Sequence, residues 1–339
     1  MPKVSVCIPT YNRSKFLQES IESVLAQTYR DFELIICDNA STDNTIDVVK
    51  SFKDPRIKFF INDNNTGAVN NMNKCIELAE GDYITIFHDD DVMILNNLEY
   101  KVKFLDETPN VGLVYSDVYI IDANGKVTDG PSTVNMNSKQ EVILSGLTFF
   151  KKLVFGGNFI YCPSVLLRKR CYDKLGKYDV RLPGASDYEM WARTSLYYDI
   201  GYIACPLIKY RRHQGNDSHN FQGKKKLKGM EQDFLAKIMA FENYHKSPNK
   251  NKIKRKEFNN FYCEILWVYL SENNNKLTRC IFFDAVRRGL FTYKMFLYYI
   301  ATFLPFSYIK DTKLFKRLMR LSRSYFTIKD RKIFSASVN

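Results

Sequence analysis

Three consecutive carboxylates, Asp89, Asp90 and Asp91, follow a histidine in the stretch YITIFHDDDVM, residues 83–93. Like charges in direct succession destabilise a fold unless a cation or a cluster of donors compensates them. A divalent ion is one such cation, because carboxylates hold Mg2+ or Mn2+ and the ion in turn neutralises the oxygens of a diphosphate. The other reading is a solvated acidic turn leading into a helix over ILNNLEYKVKFLDET, since aspartate is common at turns and helix entries. Three further polar clusters bear on the choice: PTYNR at 9–13, DNASTD at 38–43 and NDNNTG at 62–67.

Each cluster directly follows an apolar segment. VSVCIP, FELIICD, IKFFIN and YITIF read as buried strands, and GLVYSDV as another. Helices are expected from about Lys15 to Gln27, with Ser14 as N-cap, then over TIDVVKSF, AVNNMNKCIELA and residues 95–107. The alternation predicts an α/β fold, a mostly parallel sheet flanked by helices. Ligands of such sheets bind outside the carboxyl ends of the strands, so the four clusters converge on one crevice. Beyond residue 120, Asn124-Gly125 marks a turn, EVILSGLTFFKKLVF a helical stretch, YCPSVLLRK a strand and SDYEMWARTSLYY a helix. A strand over GYIACPLIKYRRHQ enters a polar loop, and KKKLK precedes a helical, basic and aromatic tail.

With 339 residues, 45% of them hydrophobic and 26% charged, the chain is globular rather than disordered. Its eight cysteines form no Cys-x-x-Cys pair, and MPKVSVCIPTYNR contains no signal-peptide cleavage site; reduced thiols in a cytoplasmic protein are expected. The loop after the first strand lacks glycine, which excludes the dinucleotide fingerprint, and there is no P-loop. Charge divides the chain: residues 1–220 carry 25 Lys and Arg against 28 Asp and Glu, whereas residues 221–339 carry 25 against 9. All of the net charge of +13 therefore lies in the last third, which implies a separate partner for that region.

VSVCIPTYNR, DNASTDNT, NNTG, GDYITIFHDDDV, GASDYEMWAR and YRRHQGNDS stand in the order seen in inverting family-2 glycosyltransferases with the glycosyltransferase-A fold, which residues 3–220 resemble. The resemblance implies a catalytic domain over residues 1–222, with a nucleotide-binding half at 1–120 and an acceptor-binding half at 121–222, and a helical extension over 223–339. It assigns Pro9, Thr10, Tyr11 and Arg13 to the nucleotide pocket, Asp38 to the nucleobase, and Asn65 and Gly67 to a loop near the nucleotide. In the acidic stretch, His88 stands where the first acid of the family's Asp-x-Asp motif often stands, Asp89 approaches the ribose or the ion, and Asp90 is the metal ligand. His213 completes the metal site or touches the diphosphate, with Arg211 and Arg212 as phosphate partners. Asp187 is the base for the acceptor hydroxyl, kept ionised by a helix N-terminus that Ser186-x-x-Glu189 would close as a capping box.

The activity so implied is metal-dependent, inverting transfer of a sugar from a nucleotide-diphosphate sugar, with UDP as the default, to a glycan or lipid-linked hydroxyl in cell-surface polysaccharide synthesis. Mn2+ or Mg2+ is the expected cofactor. A catalytically inactive binding module of the same fold and a nucleotidyltransferase are the alternatives. The segment LFTYKMFLYYIATFLPFSYI, residues 290–309, is apolar, interrupted by Lys294 and Pro305, and flanked by cations. It reads as an interfacial element against an anionic membrane on its inner face. The tail carries no zinc, helix-turn-helix or ribonucleoprotein signature, so nucleic acid is not an expected partner.

Overall fold

A computed structural model describes residues 1–130, 141–216, 226–271 and 274–303. The first strand-helix units follow the apolar pattern: β1 (Val4–Thr10), α1 (Ser14–Leu25), β2 (Phe32–Asp38), α2 (Thr45–Ser51), β3 (Ile57–Ile61), α3 (Ala68–Leu78) and β4 (Tyr83–Ile86). After the acid turn come β5 (Val92–Met93), α4 (Asn97–Glu107), β6 (Val111–Ile121), β7 (Val127–Asp129), β8 (Glu141–Leu144) and α5 (Gly146–Gly156). β9 (Val165–Arg168), α6 (Lys169–Leu175), α7 (Ser186–Ser195), β10 (Asp199–Arg211) and α8 (Lys226–Lys246) follow.

One sheet runs in the order β3-β2-β1-β4-β9-β6-β10-β5. β3, β2, β1 and β4 pair in parallel, as do β6 and β10. β9 is antiparallel to both β4 and β6, because the chain enters it through a tight turn at Cys162–Ser164, at the end where β4 finishes. Leu17, Ile21 and Val24 of α1 pack with Val4, Val6 and Ile8 of β1 and Phe104 of α4 in the main core. Burial of each such side chain stabilises by about 1.5–3 kcal/mol.

Three local expectations are corrected. Ser14 is the first helical residue of α1, not its cap; Asp43, from the loop after β2, accepts from Ser14 N at 3.1 Å and from its Oγ at 2.8 Å. The first residues of EVILSGLTFFKKLVF form β8, antiparallel to β10, and the helix starts only after Ser145, whose Oγ accepts from Thr148 N. The chain divides into compact units at 250/251 rather than 222/223. The helix between, α8, belongs to the first unit: Asn243 donates to Glu189 of α7 at 2.9 Å, and Tyr244 stacks on Phe150 of α5.

The second unit, taken by itself, contains α9 (Arg255–Ser271), α10 (Asn275–Arg287) and α11 (Tyr293–Ala301). Ile281, Ala285, Met295 and Tyr298 are buried in it. Phe283, Val286, Phe291, Tyr293, Phe296, Ile300 and Phe303 are each at least 40% exposed. Ring contacts join them: Phe283 and Phe303 both touch Tyr299, Phe291 touches Phe296, and Phe282 links Phe291 to Tyr299. No helix among the described residues is long and apolar enough to cross a membrane, and the apolar stretch beyond residue 303 lies outside those residues.

Gly146 is where α5 meets α7 and β10, and a Cβ there would lie 2.1 Å from the carbonyl oxygen of Ser195 and 2.4 Å from that of Tyr198. Neither oxygen belongs to a side chain that could turn away. Gly146→Ala is expected to lower the unfolding free energy by about 1–3 kcal/mol, measurable by urea denaturation.

Candidate functional site

The ends of β1 and β2 build one wall of the crevice. Thr10 and Asp38 are register partners across this parallel pair, both are buried, Asp38 Oδ1 has no hydrogen-bond partner, and the Thr10 hydroxyl faces Asp89. The other oxygen of Asp38 accepts from Ser41 N at 3.0 Å, so the turn after β2 uses half of the carboxylate and leaves half. Two non-glycine residues here are left-handed, Asn12 at φ 52° and Ala40 at φ 62°. Such conformations persist only where the surroundings impose them. Asn12 provides part of that constraint, donating from its backbone to Ser41 Oγ and accepting Thr42 N at its Oδ1, both at 2.8 Å. Pro9 lies in β1, and Tyr11 stands 43% exposed above its end.

Asn65 and Gly67 belong to an asparagine network that sequence reasoning missed. Asn39 donates to Asn65 Oδ1 at 2.8 Å and accepts from Asn62 and Thr66; Asn65 Oδ1 also accepts Gly67 N at 2.9 Å. Gly67 opens α3 at φ 88°, a conformation that suits glycine. The oxygen of Asn65 is thus engaged within the protein. The repeated Asn in DNASTDNT and NDNNTG was the available signal.

The acid turn is held mainly from α1 and β10. Ser20 Oγ donates to His88 O at 3.1 Å and Ser23 Oγ accepts Met93 N at 3.0 Å. Arg211, at the end of β10, is 2% exposed. Its backbone N–H donates to Asp91 Oδ1 and its Nε to the carbonyl of Asp90, both at 2.7 Å, while Nη2 reaches Glu19 Oε2 at 2.5 Å. Phe16 of α1 lies under the guanidinium at 5.0 Å and against the His213 ring at 4.6 Å. This corrects the expectation for Arg211: its guanidinium is spent on the turn and is not free for phosphate. Arg212 is exposed.

Asp90 and His213 are brought together, with His213 Nε2 2.9 Å from Asp90 Oδ2, and Asn216 Nδ2 donates to the same oxygen at 3.0 Å. Gly215 N–H donates to His213 Nδ1, so in the neutral ring the proton sits on Nε2 and points to Asp90. Arg13 Nη2 bonds the Gly215 carbonyl, and its Nε lies 3.9 Å from Asp89 Oδ1. Burial, reinforced by the charge of Asp90, pushes the Asp89 carboxyl up; burial pushes Asp91 up as well, against the pull of His88. For His88, burial alone would lower the ring's basicity, but contacts with Asp91 and Cys162 outweigh it and raise it. His88, Asp90 and Asp91 each offer an atom within 4.8 Å of the others, and Asp91 Oδ2 is buried with no hydrogen-bond partner. One imidazole nitrogen and two carboxylates with an orphaned oxygen fit a divalent cation.

Asp187 sits in the first turn of α7, within electrostatic reach of His88 and of Cys162 in the turn before β9. The expected capping box does not form: Ser186 is helical, and Glu189 instead pairs with Arg193 at 3.0 Å. Burial pushes the Asp187 carboxyl up despite the backbone N–H of Tyr188 and the nearby His88. Arg211→Met is expected to cost about 2–4 kcal/mol of stability, whereas the exposed Arg212→Met stays within about 0.5 kcal/mol. Thermal and denaturant unfolding of the pair separates the two arginines.

The family model for glycosyl transferase family 2 matches residues 5–174. An uncharacterised glycosyltransferase of Methanocaldococcus jannaschii is 34% identical over 215 residues, covering 62% of this chain and 71% of its own. The UDP-Glc:alpha-D-GlcNAc-diphosphoundecaprenol beta-1,3-glucosyltransferase WfgD of Escherichia coli is 32% identical over 248 residues, covering 71% of this chain and 91% of its own. Among solved structures, residues 1–349 of S. aureus TarS in complex with UDP-GlcNAc share the fold at a TM-score of 0.58 and 16% identity, with 88% of this chain and 89% of that one covered. With its strand-end crevice and this kinship, the chain belongs to glycosyltransferase family 2 and has the glycosyltransferase-A fold.

Proposed function

We propose that the protein transfers a sugar, with inversion, from a UDP-sugar to a hydroxyl of a glycan or lipid-linked acceptor in the synthesis of a cell-surface polysaccharide. The observation that carries this reading is the convergence on one end of the sheet of the buried Thr10 hydroxyl and the unpartnered Asp38 Oδ1 with the acid turn. Asp38 accepts an N–H of the base, Tyr11 offers a ring for stacking, and Pro9, Thr10, Arg13 and Asp89 line the ribose and phosphate side. Asn65 and Gly67 keep the neighbouring loop in place. Asp90, with His213 bonded beside it, holds Mn2+ or Mg2+, which when bound neutralises charge on the diphosphate leaving group. Asp187 takes the proton of the acceptor hydroxyl as that oxygen attacks the anomeric carbon from the face opposite the diphosphate. A lipid-linked acceptor is supported by the activity for which the E. coli relative is named.

A carboxyl raised by burial is a stronger base than an exposed one, and it acts only when deprotonated. Transfer is therefore expected to fall on acidification with an inflection above the ordinary carboxylate range, in the direction of the Asp187 shift. Asp187→Asn should abolish release of UDP from a UDP-sugar with acceptor while leaving donor binding, followed by thermal shift in Mn2+, within about threefold. Turnover at the wild-type rate in that variant removes Asp187 from the mechanism.

The exposed aromatic surface of α10 and α11, with Arg287 and Lys294 beside it, supports docking to the anionic inner face of a cell membrane. Co-sedimentation with phosphatidylglycerol vesicles at low salt, weakened by salt and by Phe291→Ser with Phe296→Ser, is the expected outcome. Full recovery in the supernatant excludes this docking.

A further inference from the structure

We infer that His88 gives a nitrogen donor to the cation of the acid turn and so biases the site towards Mn2+ and other transition-metal ions over Mg2+. The inference rests on the metal-dependent reading above. His88 stands where the family's Asp-x-Asp motif often has its first acid, so the question is what an imidazole does there.

Its Nδ1 lies 3.5 Å from Asp91 Oδ2. That is long for a hydrogen bond, yet close to the separation of about 3.0–3.5 Å kept by two neighbouring ligands each some 2.1 Å from one ion. Asp91 Oδ2 is itself buried and its contact with that imidazole is a long one, while Arg211 N–H engages the other oxygen. Asp90 is treated alike: His213 and Asn216 both take Oδ2, which leaves Oδ1. Each acid thus has one oxygen fixed by the protein, and His88, Asp90 and Asp91 each offer an atom within 4.8 Å of the others. The ring is steadied as well, since its backbone carbonyl is held by Ser20 and Tyr210 lies 6.5 Å from it. His213 has both nitrogens engaged, Nδ1 by Gly215 and Nε2 by Asp90, whereas the His88 ring meets Cys162 and turns Nδ1 toward Asp91 at a longer contact. It positions Asp90, and His88 is the nitrogen donor clustered with both acids.

A donor set of one nitrogen and two carboxylate oxygens changes the order of preference among ions. Mg2+ favours oxygen and sheds water reluctantly, while imidazole suits transition-metal ions. The site is accordingly expected to hold Mn2+ at least about tenfold more tightly than Mg2+.

The test is Mn2+ binding to the full chain, followed by the loss of the free-ion paramagnetic resonance signal with and without UDP, and by displacement with Mg2+. Wild type should show the preference, and His88→Asp should reduce the Mn2+ to Mg2+ affinity ratio by about tenfold. Electron spin-echo spectra of bound Mn2+ should contain a directly bonded nitrogen that His88→Asp removes and His213→Asn retains. This second readout needs only the bound fraction, so a loss of stability in a variant does not obscure it. An unchanged ratio, or a nitrogen signal that survives His88→Asp, overturns the inference and leaves the metal-dependent transferase standing. Failure of wild type to bind Mn2+ in the presence of UDP removes both.

Discussion

One buried guanidinium makes the acid turn possible. Arg211 gives Asp90 a donor at its carbonyl, gives Asp91 one at its side chain through the backbone, and meets Glu19 of α1 at its far end. Hydrogen bonds to charged groups contribute about 1.5–3 kcal/mol each when well formed, and they act against the repulsion among three neighbouring carboxylates. The same contacts tie β10, α1 and the end of β4 into one piece. The turn is rigid because of what surrounds it.

The donor wall works on a different principle. There the backbone is bent into left-handed conformations at Asn12 and Ala40, and amides of Asn39, Asn62 and Asn65 knit the loops together. Neutral side chains do the structural bonding, so Asp38 keeps one carboxylate oxygen uncommitted. Polar capacity is thus divided between groups that shape the crevice and groups that face into it.

The parallel half of the sheet was legible because its strands are nearly continuous apolar runs, and the rule that ligands sit beyond strand ends then located Thr10, Asp38 and Asp90. β9 was harder to read, since four apolar residues carry no mark of direction and only the turn at Cys162–Ser164 reverses it. Ser14 and Ser186 have the residue type of caps but stand one position inside their helices, and tertiary donors and acceptors replaced the local ones. Arg211 looked like a phosphate partner because sequence gives its charge and not its burial. Nor could spacing reveal that the oxygens of Asp90 are divided between residues more than 120 positions downstream and the open crevice.

That separation along the chain has a consequence for biogenesis. The hydrogen bonds from Arg211 to Asp90 and Asp91 span 121 and 120 residues. At a ribosomal rate of about 5–20 residues per second, the anchoring arginine is made roughly 6–24 seconds after the acids it steadies. Through that interval β1, β2 and β3 have their partners and β4 has β1, while β4 still awaits β9 and β5 awaits β10. A nascent chain thus acquires its scaffold well before its reactive centre, and a truncated translation product that ends before β10 carries all three aspartates with the α1 contacts but without the Arg211 anchor.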